Sequence, residues 1–89
     1  MYEVILTKRA HREYNKLSPA DQDRIDITLD RLETNPRPPG IKKIRGNIFR
    51  VRNGDWRIIY AIIDKDNLVL VGRIARRSED TYNGVKEPF

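Results

Sequence analysis

The chain has 89 residues, enough for one domain that buries roughly 60–65% of its unfolded surface. Hydrophobic residues make up 38% and charged residues 35%, which fits a small, very polar globular domain. The absence of cysteine excludes disulfides, thiolate metal sites and cysteine nucleophiles, and a single histidine argues against a zinc site or a paired-histidine nuclease.

Tyr2-Glu3-Val4-Ile5-Leu6-Thr7 is a short apolar, β-branched run and reads as a first strand. Thr7 can cap a helix over residues 8–17, whose apolar positions Ala10, Tyr14 and Leu17 share one helical face. Ser18-Pro19-Ala20-Asp21 is a second helix start, with Ser18 as N-cap, Pro19 at N1 and Asp21 complementing the dipole. Ile25, Leu29 and Leu32 repeat the same spacing, and Pro36 predicts an end near Thr34-Asn35. Two helices joined this tightly fold back as a hairpin. After the connector Arg37-Pro38-Pro39-Gly40, residues 41–46 read as a basic approach segment. Phe49 and Val51 alternate with Arg50 and Arg52, as in a half-buried strand, and Asn53-Gly54-Asp55 signals a hairpin turn. Trp56–Ile63 is the most apolar stretch and predicts the central strand. Asp64-Lys65-Asp66-Asn67 predicts a turn and residues 68–73 a last strand, before a polar tail with a short helix at Ser78-Glu79-Asp80-Thr81-Tyr82. The expected fold is therefore α+β, in the order β-α-α-β-β-β. The N-terminal helical hairpin packs on one face of a twisted, mainly antiparallel four-stranded sheet in a single domain spanning residues 1–89.

The charge is concentrated. Residues 1–40 hold seven basic and seven acidic side chains, whereas residues 41–89 hold eleven basic and six acidic, so the net +5 lies entirely in the second half. A local surplus of this kind suits a polyanionic partner. Arg50 and Arg52 share a strand face, and Arg57 opens the neighbouring strand across the tight turn. Like charges facing one another in a sheet are destabilising, so such a cluster points to a bound anion. Arg73 ends the last strand, and Arg76, Arg77 and Tyr82 follow it. Arginine gives planar, bidentate phosphate recognition and tyrosine a face for base stacking. Trp56, Tyr60 and Tyr14 read as core residues, Asp64 and Asp66 as turn residues, and His11 as a helix-surface residue.

Lys43-Ile44-Arg45-Gly46, then Phe49-Arg50-Val51-Arg52, then Gly54-Asp55-Trp56-Arg57-Ile58-Ile59-Tyr60 resembles the core of the RelE/ParE toxin superfamily. Arg73-Ile74-Ala75-Arg76-Arg77 with Tyr82 resembles its C-terminal motif. The resemblance implies a toxin of a type II toxin–antitoxin system. For the RelE-like branch it implies an endoribonuclease that cleaves mRNA on the ribosome, without cofactor or metal, by attack of a 2′-OH on its own phosphate. Arg52, Arg57, Arg76 and Tyr82 then fall at catalytic positions. Arg57 would contact the phosphate, Arg76 would protonate the leaving 5′-oxygen and Tyr82 would stack on or orient a base. Lys43, Arg45, Arg50, Arg73 and Arg77 would bind RNA phosphates. The branch often carries lysines at the positions of Arg50 and Arg52, and an arginine with a pKa above ~12 is no general base at neutral pH. The implied partners are the ribosome, mRNA and an acidic cognate antitoxin that folds on binding, with the free toxin monomeric and a heterotetramer open to the complex. Two alternatives remain: a ParE-like inhibitor of DNA gyrase, and a catalytically inactive homologue that serves as antitoxin partner or co-repressor. No run approaches the ~20 apolar residues of a membrane span and no signal-peptide pattern opens the chain, so no membrane partner and a cytoplasmic location are expected.

Overall fold

The computed structural model describes residues 1–77, and among these five stretches form strands, two form α-helices and Asp64–Asp66 forms a single 3-10 turn. The strands and α-helices are β1 (Glu3–Leu6), α1 (Lys8–Asn15), α2 (Pro19–Thr34), β2 (Lys42–Arg45), β3 (Ile48–Asn53), β4 (Trp56–Ile63) and β5 (Leu68–Arg76). Both helix starts are capped as the sequence predicts. The Thr7 side chain accepts from the Ala10 N–H and the Ser18 side chain from the Asp21 N–H. Pro19 occupies the first turn of α2, where its missing N–H costs nothing. The helices carry the chain from β1 at one edge of the sheet to β2 at the other, so the sheet runs β1-β5-β4-β3-β2, with β1 parallel to β5 and every other pair antiparallel.

The sheet has five strands rather than the expected four. Residues 42–45, expected as an approach segment, pair with β3 as an edge strand. One side of β2 meets β3 and the other carries charge, which is how natural sheets keep an edge from pairing with other chains. β5 also runs three residues further than expected. Opposite Ile59 and Tyr60 the register skips Gly72: Ile59 pairs with Arg73 and Tyr60 with Val71. This bulge resets the in–out alternation, so Ile74 and Ala75 are buried as strand residues.

The helices cover one sheet face. Ala10, Ile25 and Leu32 pack on Val51, Trp56, Ile58, Tyr60, Ile62, Val69, Val71 and Ile74. Each buried aliphatic side chain of this kind contributes roughly 1.5–3 kcal/mol. Tyr60 is fully buried, and its hydroxyl donates to the Pro36 carbonyl at 2.8 Å, tying the helix–strand connector to the central strand. Burial pushes the Tyr60 phenol up to about 12. The opposite face carries a smaller cluster of Ile48, Ile59 and Ala61, with Ile44 against it.

A surface clasp closes the far end of the sheet. Arg37 donates to both oxygens of Asp64 at 3.2 and 2.8 Å, and the Tyr2 hydroxyl donates to Asp64 Oδ1 at 2.6 Å. Arg37 also lies 5.8 Å from the Phe49 ring centroid. The Arg37 hydrogen bonds, followed by that of Tyr2, hold the Asp64 carboxyl down at about 2. A carboxyl depressed by folding stabilises the native state above its unfolded pKa near 4, and that contribution disappears as pH falls towards 2. Wild type should therefore lose more thermal stability between pH 4 and pH 2 than Asp64→Asn, with high salt narrowing the difference. Parallel melting profiles for the two proteins would contradict this account.

Candidate phosphate-binding site

The β3–β4 hairpin sets the geometry. Only Gly54 and Asp55 connect Asn53 to Trp56, and Gly54 takes a positive φ of 60° that a side chain would disfavour. A two-residue connection leaves no slack in the register. Arg52 therefore sits directly opposite Arg57, and Ala75 continues the same row on β5. Paired residues project to the same face, here the one turned away from the helices. The small Ala75 side chain leaves room beside Arg57.

The row is extended at the end of β5, where the Arg77 N–H donates to the Asp55 carbonyl at 2.6 Å. Asp55, Arg57, Arg76 and Arg77 line one open concavity of about 410 Å³. Three arginines and one aspartate thus border it. Arg76 pairs with Trp56 across β4–β5, and its guanidinium carbon lies 4.7 Å from the Trp56 ring centroid. A cation over an aromatic face contributes about 0.5–1 kcal/mol at an exposed site and restrains the side chain. Trp56 belongs to the core, as expected, but also forms the platform under Arg76.

The other expected site residues divide. Arg50 shares the face of Arg52 but is only 8% exposed, and its Nε has no hydrogen-bond partner. It lines a separate shallow groove with Lys42, Lys43 and Ile44, next to the exposed Arg45. Arg73 is engaged by α1: its Nη2 lies 2.9 Å from Glu13 Oε2, with both side chains mostly buried. Its guanidinium is thus held by an ion pair with α1. Tyr82 and the expected helix over residues 78–82 lie outside the described residues. His11 is exposed on α1 and makes its contact with Asn15, at 3.3 Å. No group of three or more His, Asp or Glu side chains among the described residues is arranged to hold a metal ion. No helix among them is long and apolar enough to cross a membrane.

The family model describing ParE toxins of type II toxin–antitoxin systems (parDE) matches residues 4–81. The chain belongs to the RelE/ParE toxin superfamily. A putative toxin RelE1 of Methanocaldococcus jannaschii is 28% identical over 81 residues, covering 85% of this chain and 90% of its own. The archaeal RelE of Pyrococcus horikoshii, solved with RelB, superposes with a TM-score of 0.80 at 27% identity, over 88% of this chain and 97% of that one. The isolated E. coli RelE toxin shares the fold, with a TM-score of 0.78 at 22% identity and 93% coverage of both chains. The α+β class read from the sequence is that of these toxins, and the chain is a toxin of the type II toxin–antitoxin class.

One residue of the site's support escaped the sequence reading. Asn53 looks like part of a turn signal, yet it ends β3 and reaches α2. Its side-chain amide donates to the Arg24 carbonyl at 2.7 Å and to the buried Thr28 hydroxyl at 2.8 Å. These bonds hold the arginine-bearing hairpin against the helix. Asn53→Ala should destabilise the fold by about 1–2 kcal/mol, the cost of losing side-chain hydrogen bonds that leave a buried hydroxyl less satisfied. Chemical denaturation would measure it, and an unchanged midpoint would show that the tether carries no load.

Proposed function

We propose that this toxin is a ribosome-dependent endoribonuclease that cuts mRNA and so inhibits translation. The observation that carries this reading is the direct opposition of Arg52 and Arg57, with Arg57, Arg76 and Arg77 sharing one concavity. Such a site suits a single phosphodiester. The 2′-oxygen forms a bond to its adjacent phosphorus as the bond from phosphorus to the 5′-oxygen breaks. The products are a 2′,3′-cyclic phosphate and a 5′-OH. Arg52 and Arg57 hold the non-bridging oxygens, and Arg76, restrained over Trp56, faces the departing 5′-oxygen. Guanidinium groups remain protonated throughout, so they act by stabilising charge; the 2′-OH proton leaves to water or to a ribosomal group, and the 5′-oxygen takes its proton from water. Tyr82 stacks on or orients a base, as the resemblance implies. Arg50, Lys43 and Arg45 guide the RNA backbone along the β2–β3 edge, and alignment of the 2′-OH is left to the ribosome.

The same reading gives the protein a cytoplasmic site of action and an acidic antitoxin that covers the basic face and folds as it binds. RelE proteins solved with RelB, including that of P. horikoshii, support such a partner. A second reading, inhibition of DNA gyrase without RNA cleavage, draws on the match to the ParE family model. An SOS response with intact transcripts on induction would favour it.

Each well-aimed donor to a transition-state oxyanion is worth about 10²–10³ in rate. Arg57→Ala and Arg76→Ala should each lower ribosome-primed mRNA cleavage by about that factor, with melting temperatures close to wild type. Near-wild-type rates for both variants would overturn the assignment.

A further inference from the structure

Beyond the arginines themselves, the structure shows what aims them. β5 passes the end of β1 at Val71, leaving the next residues of β5 without a neighbouring strand on that side. α1 takes over. The Thr7 hydroxyl donates to the Gly72 carbonyl at 3.3 Å. Glu13, two turns further along α1, accepts from the Ile74 N–H through Oε1 at 2.9 Å. Its other oxygen takes Arg73 Nε at 3.0 Å and Nη2 at 2.9 Å. Three consecutive residues of β5, those that form the bulge, are thus gripped by one short helix.

The grip has a consequence for the site. Val69 and Val71 face the helices, so unbroken alternation would send residues 73, 75 and 77 to that face. The skipped Gly72 reverses this and brings Ile74 and Arg76 to the helix face instead. Arg76 thereby lands on Trp56, and Arg77 falls opposite Asp55. A β-bulge needs support, because its extra residue breaks the ladder; here a carboxylate from α1 stands in for the missing strand. The mostly buried Glu13 also lines a concavity that contains Trp56 and Arg76.

We propose that Glu13 is a positioning residue, which locks the Gly72 bulge through Arg73 and the Ile74 N–H and so fixes Arg76 on Trp56 beside the phosphate site. Its effect on RNA cleavage rests on the function proposed above; its effect on Arg76 does not. The two are separable because the chain has a single tryptophan, Trp56, directly under Arg76.

The experiment compares wild type, Glu13→Gln, Glu13→Ala, Arg76→Ala and the Glu13→Ala/Arg76→Ala double variant, in Trp56 fluorescence with iodide quenching and in single-turnover cleavage of ribosome-bound mRNA. Glu13→Gln keeps an oxygen for the Ile74 N–H but loses the charge, so it guards against simple failure to fold. Glu13→Ala should shift Trp56 emission and iodide quenching towards those of Arg76→Ala, with Glu13→Gln in between. The double variant should match Arg76→Ala, because the two residues act through one contact. Cleavage should fall by about 10²-fold in Glu13→Ala, as expected for a misplaced group, and add nothing in the Arg76→Ala background. A Glu13→Ala protein with wild-type fluorescence and quenching would overturn the proposal, as would equal fluorescence losses with and without Arg76. If wild type cuts no RNA while the fluorescence coupling holds, the nuclease reading fails and the positioning role of Glu13 stands.

Discussion

Two guanidinium groups set opposite each other across adjacent antiparallel strands are an unfavourable pair. Directly opposed like charges weaken a sheet, yet the two-residue turn at Gly54-Asp55 leaves Arg52 and Arg57 no other register. An anion between them would turn repulsion into attraction, since a phosphate offers oxygens to both planar forks at once. The functional reading follows from that constraint. The rest of the fold can be understood as the scaffold that keeps these two side chains opposed and holds Arg76, on the other sheet face, at the concavity that Arg57 also lines.

The scaffold works through both helices. α2 holds the hairpin, because Asn53 reaches from the last position of β3 to Arg24 and Thr28. α1 holds the end of β5, through Thr7 and Glu13. Between them lies the apolar layer of helix and strand residues, with the Tyr60 hydroxyl bonded inside it. Electrostatic catalysis requires this kind of support, because donors that must reorganise during the reaction lose much of their advantage. The Arg37–Asp64–Tyr2 clasp lies apart from the arginine row and serves the fold rather than the chemistry.

Much of this was legible in the residues, for local reasons. Thr7 and Ser18-Pro19 announce helix starts because capping is a short-range interaction. The turn signal brings Arg52 and Arg57 together to within a residue or two of register, their exact opposition coming from the two-residue connection, and the helix-facing set Trp56, Ile58, Tyr60 and Ile62 follows from period two. What escaped depends on partners distant in sequence. β2 has only Ile44 among Lys42, Lys43 and Arg45, so its identity as a strand comes from β3 rather than from its own pattern. α1 stops at Asn15, short of Leu17, because the hairpin connection to Ser18 takes the intervening residues. The bulge at Gly72 inverts the alternation, so the faces of Arg76 and Arg77 cannot be counted from the start of β5. Arg73 looked like one more cation for RNA, and nothing in the local pattern singles out Glu13. Only the packing of α1 on β5 brings them together.

The most direct test of a phosphate-gripping, charge-stabilising toxin is the chemistry of the ends it makes. Transcripts recovered from cells in which the toxin is induced without antitoxin can be mapped and their termini typed. The account predicts cuts within translated messages that leave 5′-hydroxyl and 2′,3′-cyclic phosphate ends. Intact transcripts in arrested cells, or fragments bearing 5′-phosphates, would contradict it.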